Sequence, residues 1–199
     1  MEEKNFFIMK AVYTSFAHAV ELGGKKEINE CPKCGAIETI RLEPIKVYFK
    51  GKKQGDYYDV PGGSILGKKM QELLISERIT GFKLESINVE GWYDSNGKVL
   101  PIEYEDLKEL KVVGRCGYLR HKSGDILEKC DECGYFNYDR AEDEVDGLRV
   151  DLDEWDESDM FQFKNWPGVI IVTERVKEMI EKNKLKNIKF TNVSEFRFD

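Results

Sequence analysis

Two short cysteine motifs constrain this chain more than any other feature of its sequence. The first knuckle, Cys31-Pro-Lys-Cys34-Gly35, and the second knuckle, Cys130-Asp-Glu-Cys133-Gly134, share the pattern C-x-x-C-G and stand 99 residues apart. Two residues between the cysteines let both sulfurs reach one metal ion at about 2.3 Å. The glycine permits a positive φ, which turns backbone N–H groups toward the sulfurs. The pattern predicts that Cys31, Cys34, Cys130 and Cys133 hold one structural zinc ion.

Other interpretations of these cysteines stay open. A thioredoxin-like redox site uses one C-x-x-C motif near the start of a β-α-β unit, which the first knuckle fits, but the second is then unexplained. The thiols can also simply be reduced, or be the remains of a lost site. A disulfide framework is not expected in a chain without an export signal. Cys116 is a fifth cysteine, in an apolar stretch where burial is the usual role.

The wide separation of the knuckles predicts a duplicated architecture. Compact zinc ribbons place their knuckles roughly 15–20 residues apart, so here the metal would join two distant parts of the chain. The apolar positions of residues 61–87 match those of residues 167–193 without a gap, and each stretch opens on Pro-Gly. Each has a strand, a helix with apolar residues at i, i+3 and i+4, and a second strand. Thr173 is the expected N-cap of the second helix.

We therefore expect a strand-rich α+β fold of two related halves, residues 1–110 and 111–199, which form one compact unit joined by the zinc site. Three further segments carry strand patterns. Phe6 to Val12 is an apolar strand, Glu38 to Phe49 alternates in polarity, and Gly91 to Gly97 ends on an Asn-Gly hairpin turn.

The charge and composition of the chain argue against nucleic acids and membranes as direct partners. The chain has 199 residues and a net charge of −7, which disfavours direct binding to nucleic acid. No apolar stretch approaches the roughly 18–20 residues of a membrane span. The acidic start, MEEKNFFIMK, does not resemble a basic secretory signal. We expect a cytoplasmic protein that has no direct contact with membranes.

The negative charge is concentrated in an acidic segment, residues 139–159, which holds eleven acidic and two basic residues. Such a run is either a solvated loop or a surface that attracts a basic partner. If it is a partner surface, its candidate residues are Glu142, Asp143, Glu144, Asp146, Asp151, Asp153, Glu154, Trp155 and Asp156.

No pattern typical of an enzyme is found in the sequence. It lacks G-x-S-x-G and H-E-x-x-H, has no phosphate-binding loop, and contains only two histidines. A zinc ion held by four cysteines is coordinatively full and cannot activate water. We expect a protein that binds rather than catalyses.

The chain resembles the double-CXXCG motif family of bacterial immunity proteins. The likeness rests on the two knuckles, on Trp155-Asp-Glu-Ser-Asp-Met-Phe161, and on Pro167-Gly-Val-Ile-Ile-Val-Thr-Glu-Arg-Val176 with the helix and strand that follow. It covers residues 31–35 and nearly all of residues 130–193, and only loosely residues 36–129.

The resemblance implies a function in bacterial competition. Such proteins are produced beside a toxin, bind it and block it, so the partner would be a cognate toxin and the four knuckle cysteines would bind metal. A basic toxin would suit the acidic segment. Two alternatives remain open: an adaptor or regulator held together by zinc, and a thiol redox protein.

Overall fold

The computed structural model describes residues 4–135 and 145–198, and these residues form a strand-rich fold with two α-helices. The strand-rich character predicted from the sequence is confirmed. The strands are β1 Phe6–Ala11, β2 His18–Glu21, β3 Lys26–Glu30, β4 Ile37–Arg41, β5 Lys46–Lys50, β6 Tyr57–Val60, β7 Gly63–Leu66, β8 Phe82–Ser86, β9 Asn88–Tyr93, β10 Lys108–Val112, β11 Gly114–Cys116, β12 Met160–Phe163, β13 Trp166–Thr173 and β14 Ile188–Asn192. The helices are α1 Lys68–Ser76 and α2 Glu174–Lys182, and a 3-10 turn covers Val193–Glu195.

The strands form three sheets and one isolated two-stranded ribbon. The first sheet has the order β11-β12-β13-β1-β14, the second β6-β7-β10-β8 and the third β2-β5-β9. Neighbouring strands are antiparallel except for β11 with β12 and β5 with β9. The ribbon consists of β3, the first knuckle and β4, and its register pairs Lys26 with Arg41 and Glu30 with Ile37.

Three apolar clusters cover the faces of these sheets. Period-2 alternation sends the two sides of each buried strand into different clusters, as in β1, where Phe6 and Ile8 belong to one cluster and Met9 to another. The central cluster lies between the first and second sheets and contains the buried faces of both helices. A third cluster joins the second sheet to the third around Trp92 and Phe49, whose rings stack with centroids 4.4 Å apart.

Both helices bury the face that their apolar spacing predicts. Met70 and Leu74 of α1 are buried, as are Val176, Met179 and Ile180 of α2. Thr173 occupies the predicted N-cap position of α2, but its side chain makes no capping hydrogen bond. Its hydroxyl instead donates to Asp159 Oδ1 at 3.2 Å.

The strand predicted over Glu38 to Phe49 is divided in the structure. β4 ends at Arg41 and β5 begins at Lys46, so the alternation spans two strands in different sheets. Ile45, Val47 and Phe49 are buried in the third cluster, whereas Ile40 and Leu42 are exposed. The strand predicted to begin at Phe6 and the turn after Tyr93 are confirmed, the latter with an antiparallel bridge between Tyr93 and Val99.

The first sheet takes strands from both sides of residue 110, the predicted boundary between the halves. β1 lies between β13 and β14 and pairs antiparallel with each, for example through Ile8 with Ile171 and Met9 with Phe190. The boundary itself stays a prediction. Among the described residues, neither helix has the length and apolar character needed to cross a bilayer.

Candidate metal centre

The first knuckle forms the turn at the tip of the ribbon. The Cys31 N–H donates to the Ala36 carbonyl at 2.9 Å, and the Gly35 N–H donates to the Cys31 carbonyl at 2.9 Å. Gly35 has a φ of 71°, a conformation that side-chain-bearing residues rarely adopt. The glycine that follows the second cysteine is therefore required by the turn.

The second knuckle repeats this geometry in a different part of the chain. The Cys130 N–H donates to the Tyr135 carbonyl at 2.7 Å, and the Gly134 N–H donates to the Cys130 carbonyl at 2.8 Å. Gly134 has a φ of 76°. The shared C-x-x-C-G sequence thus gives the same local turn twice.

The two knuckles come together to form one cluster of thiols. The sulfurs of Cys31, Cys34, Cys130 and Cys133 all lie within 4.8 Å of one another, and all four cysteines are free. Cys34 Sγ lies 3.5 Å from Cys133 Sγ. Lys33 Nζ donates to Asp131 Oδ2 at 2.7 Å, so the two turns are also joined by an ion pair.

The electrostatics of the cluster show why it favours a cation. The backbone N–H groups of Cys34 and Lys33 donate toward the Cys31 sulfur and lower the pKa of that thiol to about 7. The N–H of Tyr135 favours the thiolate of Cys133, but local desolvation by the surrounding groups and hydrogen bonds with neighbouring thiols outweigh it and raise the pKa of Cys133 to about 12. Closely packed thiols cannot all ionise unless a positive charge lies between them.

The cluster fits a tetrahedral metal ion. A tetrahedron of sulfurs at the usual zinc distance has edges of ~3.8 Å, which is compatible with the 3.5 Å between Cys34 and Cys133 and with the upper limit of 4.8 Å for all pairs. Four thiolates are soft donors, which favour zinc and other thiophilic metals. Cys31 is 9% exposed whereas Cys34 and Cys133 are exposed, so the centre lies at the surface.

The acidic segment is described only from residue 145 onward. Glu142, Asp143 and Glu144 lie outside the described residues. Asp146 forms ion pairs with Lys122 and Arg197, and Asp151 Oδ2 lies 2.6 Å from Arg120 Nη2. Glu154 lies 3.4 Å from Lys164. Several of the predicted partner-binding acids thus already have basic partners within the chain.

Trp155 and Asp156 lie against the body of the protein. Trp155 is partly buried, its ring meets Phe6 edge to face at 5.2 Å, and its N–H donates to the Ser158 carbonyl. Asp156 accepts from the Arg115 N–H at 2.7 Å. Asp153 is exposed. Cys116 and Trp166 are buried in the same cluster as Phe6.

A polar junction that the sequence did not identify lies beside this segment. Asp159, 8% exposed, accepts hydrogen bonds on Oδ2 from the Thr80 N–H at 3.0 Å and from Arg175 Nη1 at 3.1 Å. Its backbone N–H donates to Thr80 Oγ1, and Thr173 donates to Oδ1. Thr173 and Arg175 of the Thr173-Glu174-Arg175 segment therefore both bind the buried carboxylate of Asp159. This segment is the feature of the sequence from which the junction could have been predicted.

Comparison with known proteins gives no relative for this chain, since no protein-family model and no curated protein matches it.

Proposed function

We propose that this protein is an immunity protein that binds a cognate bacterial toxin and neutralises it by occlusion. The observation that carries the proposal is the convergence of the two distant C-x-x-C-G knuckles on one cluster of four thiols. These knuckles are the central part of the resemblance to the double-CXXCG immunity family. In this proposal the protein acts in the cytoplasm, binds a protein partner and is not an enzyme.

The metal in this proposal is a structural zinc ion. The four thiolates of Cys31, Cys34, Cys130 and Cys133 would hold it. The ion would then be fully coordinated, so it would act as a cross-link and have no open position for a substrate. The cross-link would connect the ribbon tip to the second knuckle, where Lys33 and Asp131 already pair. The metal would therefore maintain the shape of a binding surface.

We also propose that the two halves arose by duplication. In each, a strand leads directly into a nine-residue helix, and a second strand follows after a short turn. Each pair of strands is separated in its sheet by one antiparallel strand, which is β10 between β7 and β8 and β1 between β13 and β14. The spatial order β6-β7-β10-β8 thus matches β12-β13-β1-β14 and supports the duplication, although β10 follows its unit along the chain and β1 comes from the first half.

An adaptor with a different protein partner is the second candidate. The observation that favours it is the exposure of apolar side chains on the ribbon, which suits any protein ligand and does not specify a toxin. The two candidates differ in whether the partner is harmful by itself.

Co-expression with the product of the adjacent open reading frame tests the proposal. We expect the neighbour to stop growth when expressed alone, and to be harmless and co-purify with this protein when both are present. An unrelated zinc protein serves as the control for non-specific rescue. A neighbour that is harmless alone, or that stays toxic without forming a complex, contradicts the immunity function.

A further inference from the structure

The ribbon is unusually exposed for a β structure with apolar side chains. β3 and β4 pair with no other strand among the described residues, and every residue of β3 is exposed. Ile28 is 65% exposed, Ile37 63% and Ile40 41%. Natural proteins usually protect such strands by covering them or by placing lysine or proline on them. An uncovered apolar ribbon therefore indicates an interaction surface.

The register places two of these side chains on one face. Ile28 lies opposite Thr39 and Ile37 lies opposite Glu30, so Ile28 and Ile37 are diagonal neighbours on the same side of the ribbon. The Leu42 N–H donates to the Lys25 carbonyl at one end of the ribbon. Because hydrogen-bonded pairs alternate along an antiparallel ladder, the N–H groups of Ile28 and Thr39 point outward from the two free edges.

The ribbon, residues 26–41, carries three basic and three acidic residues, and all three basic residues are paired, Lys33 with Asp131 as described above. Lys26 Nζ pairs with Glu21 at 2.9 Å, and Arg41 pairs with the buried carboxylate of Glu109. The three acidic residues of the ribbon, Glu27, Glu30 and Glu38, form no ion pair within residues 4–135 and 145–198. Glu30 shares the face of Ile28 and Ile37, whereas Glu27 and Glu38 lie on the opposite face beside Ile40. Both faces thus combine apolar side chains with unpaired negative charge, and the complement of the ribbon is an extended segment with apolar and basic side chains.

Contacts at both ends of the ribbon restrict its motion, so that little conformational entropy of the ribbon is lost on binding. The tip is joined to the second knuckle by Lys33 with Asp131, and a metal ion in the thiol cluster would add a cross-link there. The base is held by Arg41 on Glu109, which Lys111 also contacts at 2.9 Å. The ribbon is therefore a preformed surface that needs little rearrangement on binding.

We infer that the ribbon, residues 26–41, is the surface that captures the protein partner, by pairing with an extended basic and apolar segment of that partner. This inference rests on the proposed function and gives it a location. It favours the ribbon over the acidic segment, since Asp146, Asp151 and Glu154 already bind basic residues of their own chain.

The test uses the product of the adjacent open reading frame as the probe. Its affinity is measured for the wild type, for the double variant Ile28→Glu/Ile37→Glu, and for Ile75→Glu, whose side chain on α1 is 63% exposed. We expect the double variant to bind about 30-fold or more weakly and to lose growth rescue. The control is expected to bind as the wild type. Zinc content and thermal midpoint show that each variant folds.

Charge reversal provides a second, independent arm. Glu27→Lys/Glu38→Lys is expected to slow association about tenfold at low salt and less at high salt, since surface charges mainly affect the association rate. Glu72→Lys/Glu178→Lys, at exposed positions of α1 and α2, changes the net charge by the same amount and is the matched control, which is expected to slow association much less. Hydrogen exchange in the wild-type complex should show protection of the outward-pointing amides of the one edge that pairs, which include Ile28 if that edge is β3 and Thr39 if it is β4.

The possible results separate the two proposals. If the wild type and both ribbon variants bind the toxin equally, the ribbon is not the surface, while the immunity function stands. If the wild type forms no complex with the neighbouring gene product, both the immunity function and the ribbon as its binding surface are contradicted. A concentration-dependent dimer that Ile28→Glu disrupts would make a second copy of this chain the occupant, and would overturn the inference.

Discussion

Arg78 and Lys184 share a left-handed backbone conformation, with φ of 52° and 53°, at equivalent positions beyond the ends of α1 and α2. Gly81 and Asn187 repeat the relationship, with φ of 86° and 66°. Residues other than glycine rarely adopt such values. The agreement of two successive turns supports the proposed duplication more strongly than the match of apolar positions alone.

The turn after α1 contains a glycine, Gly81, whose position leaves no space for a side chain. A Cβ at Gly81 would overlap the Met160 carbonyl, whereas Gly97 has a similar φ of 81° and nothing within 4 Å. We expect Gly81→Ala to cost about 3 kcal/mol or more of unfolding free energy, from overlap and backbone strain. Gly97→Ala should cost about 1 kcal/mol from strain alone. Urea denaturation of both variants measures the difference, and equal costs would contradict the close approach.

Removal of one thiol ligand should release the metal. We expect the wild type to purify with one zinc per chain, and Cys130→Ser with less zinc and a thermal midpoint about 5–10 °C lower, because metal binding is linked to folding. Cys116→Ala is the matched control and should keep its zinc, since that thiol is buried in the apolar core. Atomic absorption and calorimetry are the measurements, and unchanged zinc in Cys130→Ser would refute the four-ligand assignment.

Chelation should distinguish structural thiols from a redox site. With zinc bound, we expect slow reaction of the native protein with a thiol reagent. After a chelator is added, four of the five thiols should react, and Cys116 only on unfolding. Quantitative trapping followed by mass spectrometry identifies each site. A single fast-reacting cysteine in the zinc-loaded protein would instead favour the thiol redox alternative.

Asp159 should contribute strongly to stability through the junction it forms with Thr80, Thr173 and Arg175. Asp159→Asn cannot accept all of these hydrogen bonds with a full charge, so we expect a loss of about 2–3 kcal/mol. Asp153→Asn, at an exposed position in the same segment, should be neutral. Chemical denaturation checks both, and equal stabilities would show that the junction is not important.

Alkaline pH should reveal the burial of Cys116. Burial raises the pKa of this thiol to about 12 from an ordinary 9.0. Its protonated form is thus favoured by folding, and this contribution is complete below pH 9 and falls as the pH rises toward 12, by about 1.4 kcal/mol per pH unit. The stability gap between the wild type and Cys116→Ala should therefore narrow from pH 8 to pH 10.5. A constant gap would contradict the shifted pKa.

The sequence predicted the parts of this structure that depend on local chemistry. The knuckle turns follow from C-x-x-C-G, because only glycine accepts the φ of Gly35 and Gly134 without strain. The positions of α1 and α2 follow from apolar spacing. The four metal ligands could be proposed because thiols in such turns have few other uses.

The exposed ribbon could not be predicted in the same way. Ile40 and Leu42 alternate with polar residues as Ile45, Val47 and Phe49 do, yet only the latter are buried. Alternation shows that a strand has two faces, but whether another layer covers either face depends on distant residues. The pairing of the acidic segment with Lys122, Arg197 and Arg120 is equally non-local.

The position of β1 has a consequence for how the protein is made. The second sheet uses strands from residues 57–112, so it can close while the ribosome is still producing the remainder of the chain. β1 precedes the other described strands along the chain, and its two partners among the described strands, β13 and β14, both follow the second sheet. Its apolar residues therefore stay without their strand partners until β13 and β14 have been made, and during that interval they are open to aggregation.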